Sequence, residues 1–176
     1  MGWLVMDHRA AGESHASFFT RELLGEKQTM LASAHIGGIG GTFYAAVRQL
    51  DSGKVWAMVV LTTGCPGARF GWKAMEEQMG PCECDCPACI LDLLTPTDDR
   101  YAMEWRQRCR NRAALFGAVV PGAKLEFSVD FLTPDGPHRA FEVVNPSKSL
   151  FRSPSGVAYR LTNWRTQTFA IVEGAS

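Results

Sequence analysis

Four cysteines lie close together near the middle of the 176-residue chain. They are Cys82, Cys84, Cys86 and Cys89. Thiolates converging on one ion are common ligands of structural zinc, but such sites usually pair two Cys-x2-Cys motifs that lie well apart in the chain. Only Cys86 and Cys89 have that spacing, so a site formed by all four needs tight turns, or completion by Cys65 or His35. The pattern favours free thiols and no cofactor, and leaves zinc binding and a redox role open.

A second group of chemically useful residues is basic. Four arginines form two i,i+4 pairs, on different faces, within a helix predicted from Thr97 to about Phe116, and four further cations are spread over the last 30 residues. They are Arg106, Arg108, Arg110, Arg112, Lys148, Arg152, Arg160 and Arg165. Arginine suits phosphate and carboxylate recognition, and Phe151, Tyr159 and Trp164 lie among the later cations as rings on which bases can stack. The alternative is a solvated helix face and an aromatic core.

Catalysis has one candidate pair, Asp7 and His8, at the end of a predicted first strand. A histidine beside a carboxylate can act as a general base, and a nearby thiol would complete a small hydrolase-like site. No nucleophile elbow or metalloprotease motif is present in the sequence. The sequence therefore favours a protein that is not an enzyme.

Composition and net charge argue against a disordered chain, a strongly basic nucleic-acid binder and an acidic mimic of nucleic acid. The chain has 18 basic and 18 acidic residues and 46% hydrophobic residues, which is typical of a folded globular protein. Residues 1–94 carry 7 basic and 10 acidic residues, whereas residues 95–176 carry 11 and 8, so the second part is the more basic one. No signal peptide or run of about 18–20 apolar residues is present, which predicts a cytoplasmic protein that does not enter a membrane.

The hydrophobic pattern predicts an α+β fold. Residues 1–94 are expected to form a β-α-β-β layer with covering helices, one of them over residues 71–79, and the cysteine-rich loop. The first helix is expected to begin at a Ser14 cap and end at a left-handed Gly25, and residues 51–53 are expected to form a hairpin turn. Residues 95–118 are expected to form a long connecting helix. Residues 119–176 contain five short predicted strands, typical of a small SH3-like β-barrel.

Three stretches carry a resemblance to a family. They are residues 2–12, residues 70–82, and residues 90–98 with 104–109. In them the chain is similar to an uncharacterised family of small bacterial proteins of unknown function, associated with plasmids, prophages and integrated elements. The resemblance implies an accessory role on a mobile element. Within it, Cys82 and Cys86 match the family pattern, whereas Cys84 and Cys89 depart from it.

Together these features predict a non-enzymatic binding protein of a mobile element that contacts nucleic acid or a host complex handling nucleic acid. The first module would carry the surface for a protein partner, and the basic helix and barrel would contact the anionic one. The cysteines support the alternative of a zinc-stabilised protein–protein adaptor or an antagonist of host defence. Asp7 and His8 support a second alternative, a small hydrolase-like enzyme. The sequence does not determine the oligomeric state.

Overall fold

The structure is a computed structural model that describes residues 2–37, 41–63 and 71–172. The chain divides into two compact units, Met1–Ala113 and Ala114–Ser176. The mixed helix and sheet content confirms the α+β class. None of the helices in the described residues is long and apolar enough to cross a membrane.

The first unit contains a five-stranded antiparallel sheet with the strand order β1-β5-β4-β3-β2. Its strands are β1 (Trp3–Met6), β2 (Gln28–Ile36), β3 (Thr42–Gln49), β4 (Val55–Thr63) and β5 (Gly71–Glu76). The hairpin between β3 and β4 turns at residues 51–53 as predicted, with Gly53 at a φ of 70° and its N–H bonded to the Gln49 carbonyl. The β1 strand, near the start of the chain, pairs with β5 and is the edge strand of this sheet among the described residues.

The helix predicted over residues 71–79 is wrong. Residues 71–76 form β5, which pairs with β4 on one side and with β1 on the other, and only Glu77–Met79 form a single 3-10 turn. The residues are good helix formers, but two neighbouring strands satisfy the backbone here and bury Trp72 and Ala74. Tertiary pairing therefore overrides local propensity in this segment.

One helix, α1 (His15–Leu23), packs on the sheet face that carries Phe43, Met58 and Val60; we call this the α1 face. Ser14 caps the helix as predicted, because its hydroxyl accepts a hydrogen bond from the Ser17 N–H at 3.1 Å. The C-terminal end of α1 differs from the prediction. The helix ends before Leu24, which is extended, and not at a left-handed Gly25.

Two helices cover the opposite face: α2 (Ala88–Leu91) and α3 (Arg100–Gly117), which extends into the second unit. Trp105 and Cys109 of α3 are fully buried against Tyr44, Ala57 and Val59 of the sheet; we call this the α3 face. The cap of α3 is Asp99 and not the predicted Thr97, since the Asp99 carboxylate accepts from the Ala102 N–H at 2.8 Å.

The second unit contains another five-stranded antiparallel sheet, with the order β10-β6-β7-β8-β9. Its strands are β6 (Lys124–Thr133), β7 (Gly136–Asn145), β8 (Leu150–Arg152), β9 (Ala158–Arg160) and β10 (Phe169–Val172). One face buries an aromatic core around Phe127, Phe151 and Trp164. All five predicted strands are present, but the pairings among the described residues do not join β9 to β10, so the SH3-like barrel stays a prediction.

Candidate functional site

The structure separates the four clustered cysteines. Cys82 and Cys89 are exposed, Cys84 is half-buried and Cys86 is buried. Cys84 and Cys86 instead join the apolar cluster of the α3 face, to which Cys109 also belongs. Within the described ranges 2–37, 41–63 and 71–172, no three His, Cys, Asp or Glu side chains are arranged to hold a metal ion. Cys65 lies outside those ranges.

Burial also changes the chemistry of these thiols. It raises the pKa of Cys84, of Cys86 and of Cys109, the last to about 12. A thiolate is the form that binds metals and attacks electrophiles, and the raised pKa keeps these three thiols protonated at neutral pH when no metal is bound. The buried thiols therefore act as small apolar residues in the core.

The cysteine-containing loop is held by side chains of α3 and β3. The Trp105 indole N–H donates to the Glu83 carbonyl at 2.8 Å, and Arg108 donates to the Pro81 carbonyl at 2.6 Å. The Asp85 N–H donates to the Tyr44 hydroxyl at 3.1 Å, where burial raises the pKa of Tyr44. These bonds hold the loop by its backbone N–H and carbonyl groups.

The arginines of α3 differ in their burial and in their contacts with other residues of the first unit. Arg106 is 6% exposed and forms a bidentate ion pair with Glu77, and it also donates to the Thr95 carbonyl at 2.7 Å. Arg112 pairs with Asp85 of the cysteine loop. Arg106 is therefore an interior residue, and we leave it out of any surface for an anionic partner. Arg110 is exposed.

Asp7 and His8 each form their hydrogen bonds with other residues. The Asp7 carboxylate accepts two hydrogen bonds from Arg9, at 3.0 and 2.9 Å, which lowers the pKa of Asp7. His8 is exposed, its Nδ1 donates to the Met6 carbonyl at 2.9 Å, and its Nε2 lies 3.2 Å from a Glu22 oxygen. None of the described cysteines contacts either residue, and Cys65 lies outside the described residues.

A neighbouring cluster, which the sequence pattern did not indicate, surrounds His15. Arg9 donates to His15 Nε2 at 2.9 Å, and its guanidinium lies 5.7 Å from the centre of the Trp72 ring. Because a guanidinium cannot accept a hydrogen bond, His15 must be the neutral tautomer with its proton on Nδ1. Burial and Arg9 lower the pKa of His15, and the exposed His35 ring stacks on it at 4.6 Å.

The free edge of the first sheet is unusually apolar. Trp3, Leu4 and Met6 of β1 are 51%, 75% and 53% exposed, and the four residues of this strand include no charge. Exposed edge strands normally carry lysine, proline or a bulge, because unpaired backbone groups attract other strands. The strand was predicted from the sequence, but its position at a sheet edge follows only from its pairing with β5.

Two adjoining clefts of about 340 and 250 Å³ lie near this edge; the larger is lined by β1 and α1, and the smaller extends to Thr97, Asp99 and Ala102 at the start of α3. They share Gln28, Trp56 and Glu76 as lining residues. Burial raises the pKa of the Glu76 carboxyl, whose one side-chain hydrogen bond comes from Gln78. Sequence reasoning missed this site because it placed Glu76 on a helix. The alternation of Trp72, Ala74 and Glu76 was the signal that could have indicated a strand.

The predicted cations of the second unit lie in three environments. Arg152 and Arg160 project from the face of the sheet opposite the aromatic core, as does Lys124, which the sequence analysis did not select. Lys148 lies in the turn between β7 and β8. Arg165 lies over the Trp164 ring at 5.2 Å.

The aromatic rings predicted to stack on bases do not lie beside these cations on the outer face. Phe151 is fully buried, Trp164 is 1% exposed, and Tyr159 packs against the same core. The outer face carries the small residues Ala140 and Ala158 instead. A polyanion on this face would therefore contact cations and backbone, and not aromatic rings.

A polar network at one end of the second unit also escaped sequence analysis. The Asp135 carboxylate, in the turn between β6 and β7, accepts hydrogen bonds from Ser153 and Ser155 in the turn between β8 and β9, and from Thr133. These bonds lower the pKa of Asp135. His138 Nε2 lies 3.2 Å from the same carboxylate. The network links two turns, and its hydroxyls also lie within hydrogen-bond distance of one another and of the Gly136 and Val157 carbonyls.

The described residues form a two-unit α+β protein with two five-stranded antiparallel sheets. A family model described as a domain of unknown function (DUF6927) matches residues 96–164, which include α3 and most of the second unit. No curated protein and no solved structure matches the chain significantly. The family match carries no statement about mobile elements, so that association stays a prediction.

Proposed function

We propose that this chain is a non-enzymatic binding protein whose first unit binds a protein partner at the β1 edge. The observation that carries the proposal is the position of Trp3, Leu4 and Met6 on an uncharged strand at the end of a sheet. An extended segment of the partner would add a sixth strand. Such strand addition takes its affinity from main-chain hydrogen bonds and its specificity from alternate side chains.

The side chains of β1 alternate between the two faces of the sheet. Trp3 and Val5 lie opposite Ala74 and Trp72 on the α1 face, so Leu4 and Met6 project toward the other face. An added strand would therefore meet apolar side chains on both faces. The partner segment that fits is itself apolar, extended and without charge at its centre.

A library of displayed ten-residue peptides tests this surface directly. We expect the chain to enrich peptides with alternating apolar residues, and we expect the Leu4→Lys variant to bind them at least tenfold more weakly. Leu132→Lys is the matched control, because Leu132 is a leucine of the second unit that is 89% exposed. Bound peptide should slow hydrogen exchange at the backbone amides of β1.

Two results would contradict strand addition. One is the absence of any enriched peptide. The other is enrichment of peptides that bind the Leu4→Lys variant as tightly as the unaltered chain, because a lysine at the edge disfavours further pairing.

A second candidate function is contact with a polyanion such as nucleic acid, through the outer face of the second sheet. The observation that favours it is the projection of Lys124, Arg152 and Arg160 from one face, with alanines between them that allow close approach. Glu142, which pairs with Arg152, and Glu126 project from the same face, so the attraction is modest. This activity would suit the mobile-element role that the family resemblance implies.

Fluorescence anisotropy with labelled single-stranded and duplex DNA tests the second candidate. We expect affinity to fall as salt increases, because phosphate contacts release counterions. The Arg152→Gln/Arg160→Gln variant should bind more weakly, whereas Arg139→Gln, which alters a cation paired with Asp130, should not. No binding at about 50 mM salt would reject this candidate.

A further inference from the structure

The α1 helix leaves part of its sheet face open. The helix has nine residues and covers the cluster around Phe43, Met58 and Trp72. Trp56 packs only at the border of that cluster and is half-buried. The two adjoining clefts occupy this border, and we call them together the Trp56 cleft.

The Trp56 cleft combines an indole with polar side chains. Gln28 and Glu76 line both parts of it, Trp3 lines one part, and Lys54 lines the other. Pockets that bind small molecules typically pair an apolar wall with a few polar groups that set orientation. The volumes of about 340 and 250 Å³ are of the size that a small organic molecule needs.

The carboxylates around the cleft differ in what they already bind. Glu77 is used by Arg106, Asp99 caps α3, and Glu22 contacts His8 and Arg21. Among the described residues, Glu76 accepts a hydrogen bond from the neutral Gln78 amide and forms no ion pair, although Lys54 of the same cleft attracts its charged form from a greater distance. It is the acidic side chain that is left to meet a ligand.

We propose that the Trp56 cleft binds a small organic cation of the alkylammonium class, with the cation on the Trp56 indole and Glu76 as its counter-ion. An indole face attracts a cation by about 0.5–2 kcal/mol, most when water is excluded. Burial raises the pKa of Glu76 more than the Gln78 amide and the Lys54 charge lower it, so a bound cation would add stabilisation to its charged form. The Gln28 and Gln49 amide oxygens can accept hydrogen bonds from an N–H of the ligand.

Titration with tetramethylammonium, followed by the NMR signal of the Trp56 indole N–H, tests the proposal. Neopentyl alcohol is the uncharged probe of similar shape. We expect saturable binding of the cation and at least tenfold weaker binding of the alcohol. Glu76→Gln and Trp56→Leu should each weaken cation binding at least fivefold, while Glu142→Gln in the second unit should leave it unchanged.

The pH dependence is a second measurement. Protonation removes the counter-ion, so cation affinity should fall as the pH drops through the raised pKa of Glu76, and Glu76→Gln should abolish that dependence. Equal binding of the alcohol and the cation, or full binding by Glu76→Gln, would overturn the proposal. Unaltered cation binding by Met6→Lys, at a β1 residue that does not line the cleft, would separate this site from the β1 edge.

Discussion

Arg106 of α3 and Glu77, in the turn after β5, form a buried ion pair joined by two hydrogen bonds of 2.6 Å. The two residues are 6% and 3% exposed. A bidentate pair between a guanidinium and a carboxylate is directional as well as strong. It joins α3 to the end of the first sheet, 29 residues away in the chain.

Breaking this pair should destabilise the first unit. Arg106→Met leaves the Glu77 carboxylate buried without its partner, and we expect a loss of about 3–5 kcal/mol in the free energy of unfolding. Urea denaturation measures it. Arg106→Met/Glu77→Leu should recover much of the loss, and Arg100→Met, at an exposed pair with Glu104, should change little. A small effect of Arg106→Met would show that the pair is open to water.

The thiols should divide into two groups by reactivity. With iodoacetamide at pH 8, we expect Cys82 and Cys89 to be modified quickly and Cys86 and Cys109 only after unfolding, because burial limits access and raises the pKa of the latter two. Mass spectrometry of proteolytic fragments measures each site. Protection of Cys82 and Cys89 that disappears with a chelator would instead support the zinc alternative.

Stability should depend on the neutral form of His15. Its pKa is lowered in the folded state, so the unfolded chain binds the proton more readily, and stability should fall as the pH drops from about 6.5 toward the folded pKa. Asp7 favours protonation of His15, while Arg9 and His35 oppose it. His15→Gln should flatten the dependence of the urea midpoint on pH. An equal slope in that variant would assign the effect to another group.

Asp135 should hold the two turns of the second unit together. Asp135→Ala removes the acceptor for Ser153 and Ser155, and we expect faster hydrogen exchange at residues 153–157 with little change in β10. Because the pKa of Asp135 is lowered, the same loosening should appear in the unaltered chain as the pH falls below about 3.8. Unchanged exchange at these residues would mean that backbone bonds alone fix the turn.

Much of the fold could be predicted from local pattern. The α+β class, the cap of α1 at Ser14 and the turn at Gly53 each depend on residues near one another in the chain. The segment 71–79 could not be predicted in that way, because its strand exists only through pairing with β1 and β4. The error also concealed the cleft, since the side-chain direction of Glu76 depends on that strand.

The sequence by itself determined which residues are available for binding: the cysteine run, the arginines of α3, the later cations and an uncharged apolar first strand. Only the tertiary structure decided how each is used. Burial against Glu77 makes Arg106 an interior residue, and packing on the α3 face makes Cys86 and Cys109 core residues. The edge position of β1 and the open border at Trp56 likewise follow from contacts between segments distant in the chain. Local periodicity cannot specify such contacts, because the free energy of burial depends on what each side chain meets.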